Sequence, residues 1–354
     1  MTTVHVVVPS TIDDPARPSG GNVYDRRVCD GLVAMGWSVH VHATPGPWPH
    51  PDSTARAALG RELAAVPDGE VALLDGLIAC CTPDVVVPEA RRLRLLVLVH
   101  MPLGGPVDDG AGPAGPAAAA ECEVLSAAAA VVTTSRWTRR WLLQRYALDP
   151  GRVVVAEPGA EPAPLAAGSA EGGELLCVAA VTPGKGHDQL LAALARVADL
   201  AWRCTCVGAL TLDPPFVEGL VRWARESGIA DRVHFTGALG GPQLDRVYAA
   251  SDLLLLASRF ETYGMVVTEA LARGIPAVMT SVGGLPEALG RDAAGARPGL
   301  LVECGDTQAL AGAVRSWLVE EGLRDRLRAA AAGRRATLPP WSTTARRVAE
   351  ALLR

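Results

Sequence analysis

Residues 251–280 read SDLLLLASRFETYGMVVTEALARGIPAVMT. The apolar run at 252–257 has the length and continuity of a strand buried on both faces. A helical stretch follows, and residues 275–279 make a second strand. Strand, helix and strand in that order describe a parallel βαβ unit. Glu261 and Glu269 lie at the start and in the body of that helical stretch, with seven residues between them.

The same alternation extends in both directions. Upstream, strands are expected at 4–8, 38–43, 70–74, 95–100, 131–133 and 153–156, with residues 85–87 a shorter strand or a loop end. Helical spacing marks 23–35, stopped by Gly36, and also 56–65, 117–129 and 135–146. Between Pro158 and Gly173 the sequence turns to Pro, Ala, Gly and Glu without period, which reads as a linker. The pattern restarts with strands at 175–181, 202–207, 233–235 and 300–302. Helices are expected at 187–195, 215–227, 242–250, 308–320 and 323–335. The expected fold is therefore α/β, with two Rossmann-like, doubly wound parallel-sheet domains facing across a cleft. Their expected bounds are 1–158 and 159–340. Pro339 and Pro340 break the chain before a last helix, in 341–354, expected to pack back on the first domain.

Composition narrows the class. A chain of 354 residues with 49% hydrophobic and 20% charged residues has ample material for two cores. Aromatic residues are only 4%, so Ala, Val and Leu must fill them. A net charge of −5, with no long basic run, argues against nucleic acid as a partner. The eight cysteines lack metal-site spacing. Cys204 and Cys206 share one face of an expected strand and read as small buried apolar groups; His40 and His42 likewise share a strand face. The chain enters a strand almost at once, without a signal peptide. No apolar run approaches the ~18 residues of a membrane span. A cytoplasmic protein is expected.

Several loops carry candidate chemistry. The N–H groups of Gly264, Met265 and Val266 fall at a helix N-terminus, where anions are favoured. Glu261 and Glu269 can accept hydrogen bonds from hydroxyls beside that anion, a combination that suits a nucleotide sugar. Ser19-Gly20-Gly21-Asn22 opens a helix. Its glycines permit close backbone approach to a ligand, with Asn22 as N-cap, and a plain turn is the alternative. This is not the G-x-G-x-x-G fingerprint. Lys185, in Thr182-Pro-Gly-Lys-Gly-His187, stands in a glycine-flanked turn before a helix and can reach an anion or stay solvated. Walker spacing is absent. His100 ends an apolar strand, and strand C-terminal ends line the ligand crevice in such sheets; a histidine bonded to a loop carbonyl is the alternative. Ser135 reads as an N-cap and Arg136 as a solvated first-turn residue. Ala238 and Leu239 follow a strand and offer only backbone. The pairs Asp13-Asp14 and Asp108-Asp109 read as solvated turns. No Asp-x-Asp motif is present, so no metal is expected.

Together these stretches resemble the retaining sugar-nucleotide glycosyltransferases of family 4, which have two Rossmann-like domains in the GT-B fold. The resemblance covers nearly the whole chain. It rests on Glu261-Thr-Tyr-Gly-Met-Val-Val-Thr-Glu269, Ser19-Gly-Gly-Asn-Val-Tyr24, His100, Pro183-Gly-Lys-Gly-His187 and Ser281-Val-Gly-Gly-Leu-Pro-Glu287. It implies that Lys185 binds the donor diphosphate, with Gly20, Gly21 and Asn22 near it. Glu261 would bind donor-sugar hydroxyls near the reacting carbon, and Glu269 the ribose. The backbone of Tyr263, Gly264, Met265 and Val266 would contact sugar and phosphate. His100 would lie by C6 of the sugar, and Ala238 and Leu239 would frame the base. Glu261, Lys185 and His100 are thus the implied catalytic set. The chain departs from the family at Ala179 and Ala180, where Gly-Arg is usual and the arginine shares the diphosphate. Arg259 is the expected partial replacement.

The expectation is a metal-independent retaining hexosyltransferase with no cofactor. A nucleoside diphosphate sugar would be co-substrate, UDP-sugar being the commonest and GDP- and ADP-sugars remaining open. The rivals are a sugar-nucleotide epimerase, a nicotinamide dehydrogenase (disfavoured by the missing fingerprint) and a catalytically weak sugar-nucleotide-binding protein. The acceptor, a small molecule or a lipid, is not legible in the Pro- and Gly-rich loops at 48–54 and 102–116. Oligomeric state is not legible either.

Overall fold

A computed structural model describes residues 2–13, 19–105 and 115–354. The chain divides into a first unit, up to 159 together with 339–354, and a second unit, 160–338.

In the first unit β1 (Thr3–Pro9) leads to α1 (Gly20–Ala34), β2 (Ser38–Thr44), α2 (Ser53–Ala64), β3 (Val71–Asp75) and the single turn α3 (Gly76–Ala79). There follow α4 (Pro83–Glu89), β4 (Arg94–Val99), α5 (Pro116–Ala127), β5 (Ala130–Thr133), α6 (Arg136–Arg145) and β6 (Val153–Val155). The strands form a six-stranded sheet in the order β2-β1-β3-β4-β5-β6, every pair parallel. β4 is buried along Leu95–Val99, as a central parallel strand with helices on both faces must be. Alternate residues of β1 serve different cores: Val7 packs with Leu59 and Leu63 of α2, while Val4, Val6 and Val8 pack with Val28 and Leu32 of α1.

The second unit repeats the plan. It runs β7 (Glu174–Val178), α7 (His187–Ala195), β8 (Arg203–Val207), α8 (Pro214–Glu226), β9 (Val233–Gly237), α9 (Gly241–Ala249) and β10 (Leu253–Leu256). It continues with α10 (Met265–Ala272), β11 (Ala277–Thr280), α11 (Leu285–Leu289), β12 (Gly299–Val302), α12 (Thr307–Val319) and α13 (Glu321–Arg335). The sheet order is β12-β11-β10-β7-β8-β9, again parallel throughout. The buried Asp252 pins the entry to this unit: its carboxylate accepts from Ser169 N, Ser169 Oγ and Glu174 N at 2.8, 2.6 and 2.9 Å. Cys204 and Cys206 are both buried on one face of β8, and all eight cysteines are free.

The last helix, α14 (Trp341–Leu353), belongs to the first unit and packs on α1. Thr344 Oγ1 donates to the Glu157 carbonyl at 2.7 Å, Arg347 pairs with the Glu157 carboxylate at 2.8 Å, and Arg94 donates to the Leu352 carbonyl at 2.6 Å. Expectation and structure differ locally. Residues 85–87 lie within α4, because Pro83 suits a first helical turn and burial of Val86 outweighs the strand preference of three valines. The turn α3 was not foreseen; Asp75 starts it by accepting from Leu77 N at 2.8 Å.

Each strand order reverses once, between β1 and β3 in the first sheet and between β7 and β10 in the second. A parallel sheet opens a crevice beyond its strand ends at such a reversal. Among the described residues no helix is long and apolar enough to cross a membrane.

The contact of α1 with α14 leaves no room at Gly31, where a Cβ would lie 2.4 Å from Ala345 Cβ. Gly31→Leu is expected to lower stability by roughly 1–3 kcal/mol, the usual cost of overpacking, read from the urea midpoint. Gly312, inside α12, meets nothing within 4 Å. Gly312→Ala should therefore stabilise, by up to ~1 kcal/mol.

Candidate functional site

The first unit gathers polar groups at its β1/β3 reversal. α1 starts at Gly20, and its N-cap is Ser19, not Asn22 as expected: Ser19 Oγ accepts from Asn22 N at 3.4 Å. The Asn22 side chain instead donates to the Thr11 carbonyl at 2.7 Å. It is drawn off by the β1–α1 loop, while the serine one residue before Gly20 already has extended cap dihedrals. Gly21 faces the His100 ring, and a Cβ there would be 3.4 Å from His100 Cδ2.

His100, just beyond β4, bonds through Nε2 to Asp25 Oδ1 at 2.8 Å, so its partner is a carboxylate rather than a loop carbonyl. Tyr24 stands edge-on to the ring at 5.2 Å and donates through its hydroxyl to the Ala156 carbonyl at 2.7 Å. Asp75, at the end of β3, brings a second buried carboxyl group to the same place. Burial, reinforced by the negative charge of Asp25, raises Asp75 to about 7. Burial works against a charged His100 ring, but the Asp25 carboxylate outweighs it and lifts His100 to about 9. The loop after His100 is anchored at its start, where the buried Glu121 accepts from Leu103 N and Gly104 N at 2.8 and 3.1 Å. Most of the 102–116 loop, including Asp108-Asp109, lies outside the described residues, as does Asp14. Asp13 pairs with Arg26. Ser135 caps α6 as expected, accepting from Thr138 N at 2.9 Å.

The second unit places its candidates at the β7/β10 reversal. β7 ends at Val178, and Ala179 and Ala180 lead on to the short turn Pro183–Lys185. Gly186 closes that turn at φ +68°, and a Cβ there would lie 1.9 Å from the Ala257 carbonyl oxygen. Only glycine lets this turn dock on the end of β10. Two more links fasten it. Arg259 N donates to the Gly184 carbonyl at 2.9 Å. The Arg259 side chain bonds to the Pro183 carbonyl and takes Asp188 in a two-pronged pair at 2.9 and 2.6 Å.

With the turn fixed, Lys185 Nζ donates to Glu261 Oε1 at 2.6 Å. Ser258 Oγ donates to the same oxygen at 3.1 Å, and Thr280 holds Ser258 through its carbonyl at 2.6 Å. The Glu261 backbone is clamped in turn: Gly284 N donates to its carbonyl at 2.9 Å. Gly283, at φ +55°, lies so close that a Cβ would be 1.6 Å from that oxygen. The lysine side chain is 32% exposed and the glutamate 14%, which leaves the ammonium open to a ligand.

Tyr263 is buried just before Gly264, the N-cap of α10. The N–H groups of Gly264, Met265 and Val266 thus head a helix, where the first amides lack intrahelical acceptors. Glu269, further along α10, is reached by Tyr248, whose hydroxyl donates to Oε2 at 2.8 Å. Burial raises the pKa of Glu269, against the pull of that bond. Arg273 lies over the Tyr248 ring at 4.4 Å and bonds to the Glu269 carbonyl at 3.0 Å. Ala238 and Leu239 follow β9, the edge strand.

Lys185, Arg259 and Glu261 thus meet around one turn, and Glu269 keeps a separate network on the same helix that Gly264 caps. Gly21 and His100 meet in the first unit. Sequence reading passed over Asp25, Asp75, Asp188, Tyr248 and Ser258. Asp75 had a legible signal, since it ends an apolar strand just as His100 does. Asp25, Asp188 and Tyr248 act through tertiary contacts that no spacing announces.

Residues 169–334 match the family described as Glycosyl transferases group 1. A D-inositol 3-phosphate glycosyltransferase of Segniliparus rotundus is 37% identical over 167 residues, covering 44% of this chain and 37% of that protein. The protein of the same description from Kineococcus radiotolerans is 32% identical over 248 residues, covering 64% and 57%. The chain thus spans about half the length, or less, of these curated relatives. Among solved structures, sucrose-phosphate synthase from Thermosynechococcus elongatus superposes with a TM-score of 0.77 at 20% identity, covering 99% of this chain and 98% of that one. Anabaena HepE in complex with UDP-glucose gives a TM-score of 0.77 at 17% identity over the full length of both. These likenesses show the fold, which is GT-B. The family match falls on residues 169–334, nearly the whole of the second unit.

Proposed function

We propose that this protein transfers a hexose from a nucleoside diphosphate sugar to an acceptor hydroxyl, with retention and without a metal. The observation that carries the reading is the 2.6 Å contact of Lys185 with Glu261 at the strand-order reversal of the second sheet. As a glycosyl–phosphate bond breaks, negative charge grows on the departing diphosphate and positive charge on the sugar ring. An ammonium has three N–H donors. One is fixed on Glu261, which aims the others at phosphate. Glu261 keeps its second oxygen for a sugar hydroxyl, and the amides heading α10 add fixed donors for the diphosphate. Glu269 would take the ribose hydroxyls, with Tyr248 steadying its other oxygen. Ala238 and Leu239 would border the base. The departing phosphate would accept the acceptor proton on the same face.

The arginine usual beside the lysine turn is replaced by Ala179 and Ala180, so in this reading Lys185 carries the diphosphate with less help. Arg259 contributes by stiffening the turn through Asp188 and Pro183, and does not replace the missing cation directly. A UDP-sugar is the donor we favour, because Anabaena HepE, a protein of this fold, is solved in complex with UDP-glucose. Residues 159–340 would hold the donor. Residues 1–158, with Gly20, Gly21, Asn22 and His100, would meet the acceptor, a small molecule or lipid. Eight free cysteines suit a reducing, cytoplasmic setting.

UDP should raise the Tm of the wild-type protein and leave that of Lys185→Ala unchanged. Lys185→Ala and Glu261→Ala should each lower turnover with UDP-sugar and acceptor by at least ~10²-fold, on the scale of lost transition-state donors. Wild-type rates in either variant would refute the assignment. Conversion of the donor sugar to its epimer in the absence of acceptor would favour the rival reaction, and binding without transfer or hydrolysis would favour a binding protein.

The role of Arg259 is open to a double-mutant cycle. Arg259→Ala and Asp188→Ala should each lower kcat by a similar factor, of order 10-fold, and the double variant should be no worse than either. Additive losses would mean that Arg259 contacts the donor itself.

A further inference from the structure

Within the first unit, Asp25, Asp75 and His100 each offer an oxygen or nitrogen within 4.8 Å of the others'. Asp25 is 2% exposed and Asp75 5%. Asp25 Oδ1 is on His100, while Asp25 Oδ2 is buried without a hydrogen-bond partner. A buried carboxylate oxygen left without a donor is costly. A protonated Asp75, which has a carboxyl oxygen within 4.8 Å of an Asp25 oxygen, is a donor of the required kind nearby. Two buried carboxylates this close do not both ionise readily. The ring is fixed from several sides: Asp25 on Nε2, the edge of Tyr24, and the Cβ-free Gly21 against Cδ2.

Resting on the function proposed above, we infer that Asp25 and Asp75 are positioning residues that keep His100 as an imidazolium, a cationic hydrogen-bond donor toward an oxygen of the bound substrate. A ring protonated at both nitrogens can donate and cannot accept. His100 is therefore no general base for the acceptor hydroxyl, and the acceptor's proton must leave by another route, to the departing phosphate. The triad itself undergoes no net proton transfer during the reaction. The titratable neighbours agree with this charge state. Cys29, one turn beyond Asp25, is raised to about 12 by burial and then by Asp25, and so stays neutral. Tyr24 is raised well above its usual value by burial and then by Asp25, and Arg347 of α14 opposes that rise.

The unit also has the look of a metal site, and the two readings predict opposite behaviour of the ring proton. A metal would take the lone pair of Nε2, which here carries the proton shared with Asp25.

The test uses full-length protein with isotope-labelled histidine, the His100 signals being assigned by comparison with His100→Gln. In the wild type the His100 ring should titrate near 9. In Asp25→Asn, which keeps the shape and removes the charge, its pKa should fall by ~2 units toward the ordinary value of about 6.5. Asp75→Asn, which can still donate to Asp25 Oδ2, should shift it by less than Asp25→Asn does. In parallel, kcat for Asp25→Asn should acquire a decline as pH rises through 7 that the wild type lacks, with KM for donor changed less than threefold. A wild-type His100 titrating at or below 6.5, or an Asp25→Asn protein with an unshifted ring, would overturn the inference. So would loss of the ring proton on adding Zn²⁺ or Mn²⁺ to the wild type. The titrations need no turnover, so failure of the transferase reading and failure of the triad would be told apart. A shifted ring with an unchanged pH profile would refute the role toward substrate.

Discussion

The second unit depends on a backbone contact in which no charge takes part: the lysine turn pressed against the Ala257 carbonyl at the end of β10. β7 and β10 are neighbours whose crossovers leave in opposite directions, so the loops after them diverge and open a crevice. A flexible lysine in such a crevice would sample many positions at a cost of about 2 kcal/mol to immobilise. Gly186 removes the side chain that would hold the turn away, and Arg259 fastens it from the other side. Once the turn is seated, the ammonium has Glu261 within reach and its position is no longer a matter of chance. The glycines at 283 and 284 do the same service for the glutamate.

The choice of lysine there is itself informative. Of 33 lysine and arginine residues in the chain, one is lysine, and it is Lys185. Surface pairs, capping contacts and carbonyl clamps are all left to arginine, whose planar fork suits two-pronged partners such as Asp188 and Asp199. At the crevice a compact ammonium with three rotatable donors can bond to a carboxylate and still turn toward a phosphate. A guanidinium locked two-pronged on Glu261 would have its fork occupied. The sole exception to an otherwise uniform usage falls where the geometry asks for a point charge.

Most of the architecture was legible in the chain. Parallel strands buried on both faces read as continuous apolar runs, and β4 and β10 are such runs, so their positions followed from hydropathy alone. The valines at 85–87 misled because a short β-branched run has no period to separate strand from helix. Pro83 was the better guide. Asn22 misled in the same way, since cap preference is a property of residue type, whereas the cap that forms belongs to whichever neighbour has extended dihedrals. Of the site, Lys185, Glu261 and His100 stood out because each follows an apolar strand, and Glu269 by its spacing from Glu261. Asp188, Tyr248 and Ser258 did not, being brought to their partners by contacts across 71, 21 and 3 residues. Asp25 is a buried carboxylate in the second turn of an amphipathic helix, which by pattern alone looks like an error in the apolar face.

The two sheets treat the same topological position with opposite electrostatics. In the second unit a carboxylate is paired with an ammonium at 2.6 Å, and the pair is partly open to solvent and able to exchange partners with a ligand. In the first unit two carboxyl groups are buried beside one imidazole, and burial sets the terms: one acid is pushed toward neutrality while the other, in contact with the ring, makes a charged histidine tolerable. An exposed ion pair can give up a contact cheaply, which suits a group that must grasp and release a phosphorylated product. A buried cluster cannot, since removing Asp25 or His100 strands a charge in a low dielectric. It suits a group whose charge must stay constant while others change. Were the assignments reversed, with the buried cluster on the diphosphate, each turnover would have to desolvate and resolvate it. The division of labour between the two crevices therefore follows from how each set of charges is neutralised, before any substrate is considered.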